Sequence, residues 1–154
     1  YRHTDNLEKY ILRLLVFAAI AQVPYSYFHQ TRLNILFGFV SALLILKFQE
    51  AYGSRIYLLI LPLSLLDLEY GTYPVVLAIA FNRIQEDKRK GIVLFILSTV
   101  IYSVTTRQYL QIFSLLTLPL VYHIKPVNFK LDKYIFYWFY PVHLAAMAGI
   151  KLLM

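Results

Sequence analysis

The chain has 154 residues, 60% of them hydrophobic and 15% charged, with a net charge of +7 and no cysteine. A soluble domain this size buries about 70% of its surface and is normally about 45–50% apolar, so the surplus points to lipid as the solvent. The missing cysteines exclude a disulfide framework, a thiol nucleophile and a thiolate metal site.

Seven apolar segments follow one another with little between them. Leu7–Val23 comes first, behind a polar start that lacks the pattern of a cleavable leader. Because the chain opens on Tyr1 rather than methionine, further helices are expected to precede it. Pro24 is expected to end the first helix, since the residue before a proline avoids the helical region. Leu33–Phe48 is second and Ile56–Leu66 third, the shortest and weakest of the set. Gly53-Ser54 and Tyr70-Gly71 mark turns before Thr72–Asn82. The mixed-sign run Arg83–Lys90 reads as a solvated turn leading to Ile92–Val104 and then Tyr109–His123. Lys125-Pro-Val-Asn128 precedes Tyr134–Leu153, whose start Asp132 is placed to cap. Several segments fall short of the roughly 17–20 residues of a perpendicular span, a deficit that interfacial Tyr, Arg and Lys side chains can make up. Pro62, Pro74, Pro119 and Pro141 lie in or beside these runs, where bundle neighbours can satisfy the freed carbonyls.

Charge supports the count. If each segment crosses once, twelve lysines and arginines gather on one face and only Arg32, Arg107 and Lys151 on the other. In loops this short the basic face is cytoplasmic. The expected architecture is an all-α polytopic bundle, a single transmembrane domain over residues 1–154 with its basic loops in the cytoplasm. The positive charge follows from topology and attraction to anionic lipid, and its spread over four short loops argues against nucleic acid.

Signatures of soluble enzymes, such as a phosphate-binding glycine loop or a nucleophile elbow, are absent from the sequence. Chemistry is therefore sought among polar groups at membrane depth, which are costly there. His143 lies about 16 Å of helix beyond Asp132, with Phe139 and Tyr140 on its face. An imidazole can move protons or polarise a carbonyl there, or simply donate to a neighbouring backbone. Arg13 suits a phosphate or snorkels to the interface. Asn34 caps the second helix or holds a substrate carbonyl. Asp67 and Glu69, beside Tyr70, could serve as base or ammonium binder, or as an ordinary wet loop. His3 belongs to a polar stretch readable as loop. No metal site is expected.

Four blocks carry a family resemblance. Arg2-His-Thr-Asp-Asn-Leu-Glu-Lys-Tyr-Ile-Leu-Arg13 onward to Gln22-Val-Pro24 is similar to the block "HTRN-KKYLLRLLIFALISQIPF" of the TraX family. Leu33-Asn-Ile-Leu-Phe-Gly38 resembles its "LNILFTLLLG", Leu68-Glu-Tyr-Gly-Thr-Tyr73 its "DYGFYG", and Lys133-Tyr-Ile-Phe-Tyr-Trp-Phe-Tyr-Pro-Val-His-Leu144 its "KYFFYLFYPLHLLIL". The resemblance implies an integral membrane acyltransferase using acetyl-CoA, with an amine or hydroxyl of a pilin-like protein or glycan as acceptor. It also implies an upstream helix with an Asp-His pair, which this sequence does not contain. On that reading Arg2, His3, Lys9, Arg13, Asn34, Glu69 and Tyr70 bind substrate or cofactor, with Arg2, Lys9 and Arg13 at the CoA phosphates. His143, Tyr140 and Asp67 are then the catalytic candidates. Two other classes stay open: a non-enzymatic subunit of a membrane assembly, and a small transporter with a midplane site.

Overall fold

The computed structural model describes residues 6–119 and 133–153, and every regular element within them is helical. Helix α1 spans Leu7–Ser26, with Asn6 as its cap, its side chain accepting from Lys9 N at 3.0 Å. The expected stop at Pro24 is not observed, because α1 continues through it to Ser26. A proline so close to a C-terminus removes only one ladder bond, and Ser26 Oγ donates to Val23 O at 2.8 Å in the same turn.

Helix α2, Ile35–Tyr52, begins at the Asn34 cap and ends at Gly53, whose φ of 59° favours glycine. The weakest expected segment follows as a 3-10 stretch, Gly53–Leu59, running into the short helix α3, Ile60–Leu63. A 3-10 helix rises about 2.0 Å per residue against 1.5 Å for an α-helix. Its seven residues therefore advance about 14 Å rather than about 10 Å. The chain returns far enough for residues 67–69 to reach the start of α2. There Leu33 N donates to Asp67 O at 2.8 Å and Glu69 N to Leu33 O at 2.9 Å, an isolated parallel bridge.

The described residues fall into two compact units. In the first, residues 6–74 and 133–153, α1 packs against both α2 and helix α6, Lys133–Leu153. Parallel pairing of α1 with α6 is fixed by successive contacts. Tyr137 lies 6.4 Å from Tyr10 and stacks on Phe17 at 5.1 Å. Tyr25 and Ala21 meet Leu144, and Lys151 lies 5.4 Å from the Tyr27 ring centroid. Helix α2 runs the opposite way, with Lys47 Nζ 2.7 Å from Glu8 Oε1 at one end and Asn34 beside Ala18 and Gln22 at the other.

The second unit begins at Val75, within helix α4, Tyr73–Glu86, and continues through helix α5, Lys88–Thr106. Asp87 caps α5, and the backbone N–H and side chain of Lys90 hold its carboxyl below the usual carboxylate range. This is the solvated turn expected at Arg83–Lys90, with ion pairs Arg83–Glu86 at 2.9 Å and Lys90–Asp87 at 3.1 Å. Exposed pairs of this kind contribute little. Helix α5 ends at Arg107 in the left-handed region, and a second 3-10 stretch covers Tyr109–Leu116. The rest of the expected Tyr109–His123 segment beyond Pro119, and Asp132, lie outside the described residues.

Two helical stretches, Ile35–Leu63 and Lys88–Thr106, are long and apolar enough to cross a membrane, although Gly53 turns the chain within the first. Only 28% and 22% of their most apolar windows are buried. Leu12, Val16, Ile20 and Val23 on α1 and Trp138, Phe139, Val142 and Met147 on α6 are likewise exposed. Surface as apolar as this has water as a poor solvent.

Gly91 lets α5 approach α4 closely, near the edge-on pair of Phe81 and Phe95 at 5.2 Å. A Cβ at Gly91 would collide with the backbone of Ile84, coming within 2.6 Å of its Cα, whereas one at Gly149 meets nothing within 4 Å. Gly91→Ala is expected to lower stability by about 1–3 kcal/mol, seen as a lower unfolding temperature in detergent. Gly149→Ala, in open helix, should be neutral or gain up to about 1 kcal/mol.

Candidate functional site

Buried polar atoms in an apolar bundle need partners, and in the first unit one group of them gathers at the C-terminal end of α1. Asn34 is fully enclosed, at 0% exposure. Its Oδ1 accepts from Leu36 N at 3.1 Å as the α2 cap, and its Nδ2 donates to Ala18 O at 2.8 Å and Gln22 Oε1 at 2.9 Å. The Gln22 oxygen also accepts from Asn34 N at 3.0 Å, and its Nε2 donates to Arg32 O at 2.8 Å. Two side-chain amides thus close the α1–α2 connection.

Glu69 comes to the same place from the 67–70 loop. The bridge to Leu33 sets its backbone, and its Oε2 accepts from Ile35 N at 3.0 Å, giving a carboxylate to the first turn of α2. Tyr140 on α6 donates its hydroxyl to the same oxygen at 3.4 Å. Tyr70, beside Glu69, is half-buried, and burial followed by the Glu69 charge pushes its phenol up. Asp67 turns outward instead, 3.4 Å from Arg32 Nε and accepting from Thr31 Oγ1 at 3.4 Å.

His143 stands one turn beyond Tyr140. Its ring meets Tyr140 edge-on at 5.4 Å and stacks on Phe139 at 5.3 Å, while Nδ1 lies 3.1 Å from Phe139 O. A carbonyl only accepts, so Nδ1 carries the proton and Nε2 is left as the basic nitrogen. Pro141 withdraws its N–H from the ladder at Tyr137, not at Phe139.

The expected site residues therefore divide. Glu69 bonds both Tyr140 and the N–H of Ile35, the residue after Asn34, while Asn34 is held separately by Gln22 and Ala18; Tyr70 and His143 adjoin Glu69 and Tyr140, and Asp67 sits in the same loop facing away. Arg13 is elsewhere, near the start of α1, its Nε donating to Lys9 O at 3.2 Å, and Lys9 is exposed. Nine residues of helix, about 14 Å, separate Arg13 from Gln22. Arg2 and His3 lie outside the described residues. Sequence reasoning passed over Gln22 and Tyr25. Their signal is a spacing: Ala18, Gln22 and Tyr25 share one helical face, and Gln22 is the lone amide in the α1 apolar run. Among the described residues no group of three or more histidine and acidic side chains gathers as a metal site.

These features define an all-helical protein with a polar cluster held among apolar helices. The sequence matches the TraX protein family over residues 1–151, and the chain belongs to that family. It is 28% identical, over 185 aligned residues, to a protein of Dichelobacter nodosus described as probable fimbrial assembly protein FimC, serogroup H1. That alignment covers 97% of this chain and 74% of the relative. No solved structure matches.

If the amide pair closes the site, Asn34→Ala orphans the amide of Leu36, strips the second bond from Ala18 O and should cost about 1–3 kcal/mol. Gln22→Ala should cost less, because part of its bonding is to a carbonyl at the exposed loop. The double variant should fall short of the sum by about 0.5–3 kcal/mol, the coupling read from unfolding temperatures of all four proteins. Strict additivity would separate the two side chains.

Proposed function

We propose that this chain is a multi-pass protein of the bacterial cytoplasmic membrane that transfers acetyl from acetyl-CoA to an amine or hydroxyl of a pilin-like protein or a glycan. One observation carries the reading. Gln22, Asn34, Glu69, and Tyr140 with His143 come from four separate stretches of sequence, the same four that resemble the TraX family, and they meet at one place. Membership of that family and the fimbrial-assembly name of the relative agree with a pilus-related acceptor.

The chemistry asked of the residues is modest. The acceptor's N–H or O–H attacks the thioester carbonyl carbon, forming the new C–N or C–O bond as the C–S bond breaks. Nε2 of His143 takes the acceptor's proton and passes it to the departing sulfur, so CoA leaves as its thiol. Tyr140, hydrogen-bonded to Glu69, is placed to orient the thioester or His143, and Asn34 supports the wall on which Glu69 sits. Asp67, the third catalytic candidate, lies in the same loop but pairs with Arg32 on its outer side. Lys9 and Arg13, with Arg2 ahead of them, offer positive charge to the CoA phosphates at the other end of α1.

Two measurements test this. Single cysteines at Lys88 and Gln30 should label from opposite sides of the membrane, as the twelve-to-three asymmetry of basic residues requires. Labelling from one side would overturn both orientation and segment count. His143→Asn or His143→Ala should slow acetyl transfer by about 10²–10⁴-fold with little change in unfolding temperature. The competing reading, a non-catalytic subunit of a pilus assembly, rests on the relative's printed name. It expects intact fimbriation in the His143 variants.

A further inference from the structure

The His143 ring is held by the turn of α6 just before it. Nδ1 lies 3.1 Å from Phe139 O, and the Phe139 ring stacks on the imidazole at 5.3 Å with 25° between the planes. Tyr140 closes the other side edge-on at 5.4 Å and 65°, and is itself tied to Glu69. Histidine's χ2 is a broad, two-fold torsion, so a half-buried ring keeps one orientation only where its neighbours impose it. In water a neutral imidazole favours its proton on Nε2, whereas a bond from Nδ1 to a carbonyl demands the proton on Nδ1. Among the described residues no carboxylate pairs with this ring. Phe139 is 69% exposed, so packing of the unit makes little use of its side chain.

We propose that Phe139 is the positioning residue of His143: its carbonyl sets the tautomer, its ring sets the plane, and Nε2 is presented without an acidic partner. This rests on the acyl-transfer reading above and names what holds that reading's base. The spacing suits the task, because residues four apart on a helix lie on one face. During transfer the acceptor's hydrogen goes to Nε2 while the Nδ1 hydrogen stays on Phe139 O. The imidazolium so formed has its second N–H already bonded. When Nε2 gives its proton to the departing sulfur the starting tautomer returns, and no proton has to move between the two nitrogens. A carboxylate often fills the carbonyl's place beside a catalytic histidine. Among apolar helices it would be a costly charge whenever the imidazole is neutral, whereas a carbonyl adds none. Its two lone pairs can serve the helix and the ring together.

The tautomer can be read without turnover. The full chain, carrying nitrogen-15 histidine, is purified in detergent at alkaline pH, where imidazoles are neutral. Couplings to the carbon-bound ring hydrogens tell Nδ1 from Nε2, and His143→Asn identifies the signals. The wild-type ring is expected with its proton on Nδ1. Phe139→Leu should move a measurable share of it to Nε2, and Phe139→Tyr, which keeps an aromatic ring, should restore the wild-type spectrum. A wild-type proton on Nε2, or a Phe139→Leu spectrum identical to wild type, overturns the proposal. With a fimbrial subunit as acceptor, Phe139→Leu should lower kcat about tenfold while both KM values move less than about twofold, and Phe139→Tyr should recover most of the loss. An unchanged kcat in Phe139→Leu overturns the positioning role and leaves the acyltransferase reading standing. Wild-type protein that transfers no acetyl group sinks that reading instead, and the spectra alone then decide whether Phe139 holds the ring.

Discussion

The amide pair of Asn34 and Gln22 is the constraint on which the first unit depends. A side-chain amide enclosed among apolar helices is tolerated only when its donors and acceptors are met. Asn34 meets its own through the backbone of α1, the side chain of Gln22 and the first turn of α2. That requirement sets the register between two antiparallel helices whose apolar surfaces alone would permit sliding. It also fixes the position of Leu33, onto which the 67–70 loop pairs, and so the place of Glu69. Tyr140 then draws α6 to the same point.

Packing and the candidate site share the same atoms. Glu69 Oε2 serves at once as a partner for the start of α2 and as the anchor for a tyrosine on α6. At the opposite end of α1 the contacts are of another kind: an ion pair between Glu8 and Lys47 and a guanidinium folded back on its own helix. The two ends therefore differ in what they offer a ligand. One presents mobile surface charge, the other a preorganised set of hydrogen-bonding groups.

Much of the fold was legible in the sequence, because apolar runs, caps and glycine stops are local signals. Leu7, Asn34, Gly53 and Gly71 mark boundaries where they were expected. Pro24 was misread because the bias against helix at the residue before a proline is a preference that α1 overrides, and its position two residues from the end makes the lost bond cheap. The site was legible in part. Asn34, Glu69 and Tyr140 declare themselves as polar groups in apolar surroundings, but their meeting depends on the long-range pairing of Leu33 with Asp67 and Glu69, which no local pattern encodes. Asp67 and Glu69 look equivalent two residues apart. In an extended loop they face opposite ways, and only the pairing decides which one points inward. Tyr25 escaped notice because its buried, unpartnered hydroxyl shows only against its surroundings.

The 3-10 stretch after Gly53 has a mechanical consequence. Gly53–Leu59 and α3 together advance about 20 Å, well under the roughly 30 Å of a bilayer's hydrocarbon layer. In the multi-pass reading proposed above, a bilayer around so short a segment would relieve the mismatch by thinning locally or by letting polar flanks dip toward the centre. On either route the two aqueous compartments would lie closer together at this protein than elsewhere. In that reading, a reagent supplied from one side and a recipient arriving from the other would have a shorter gap to bridge.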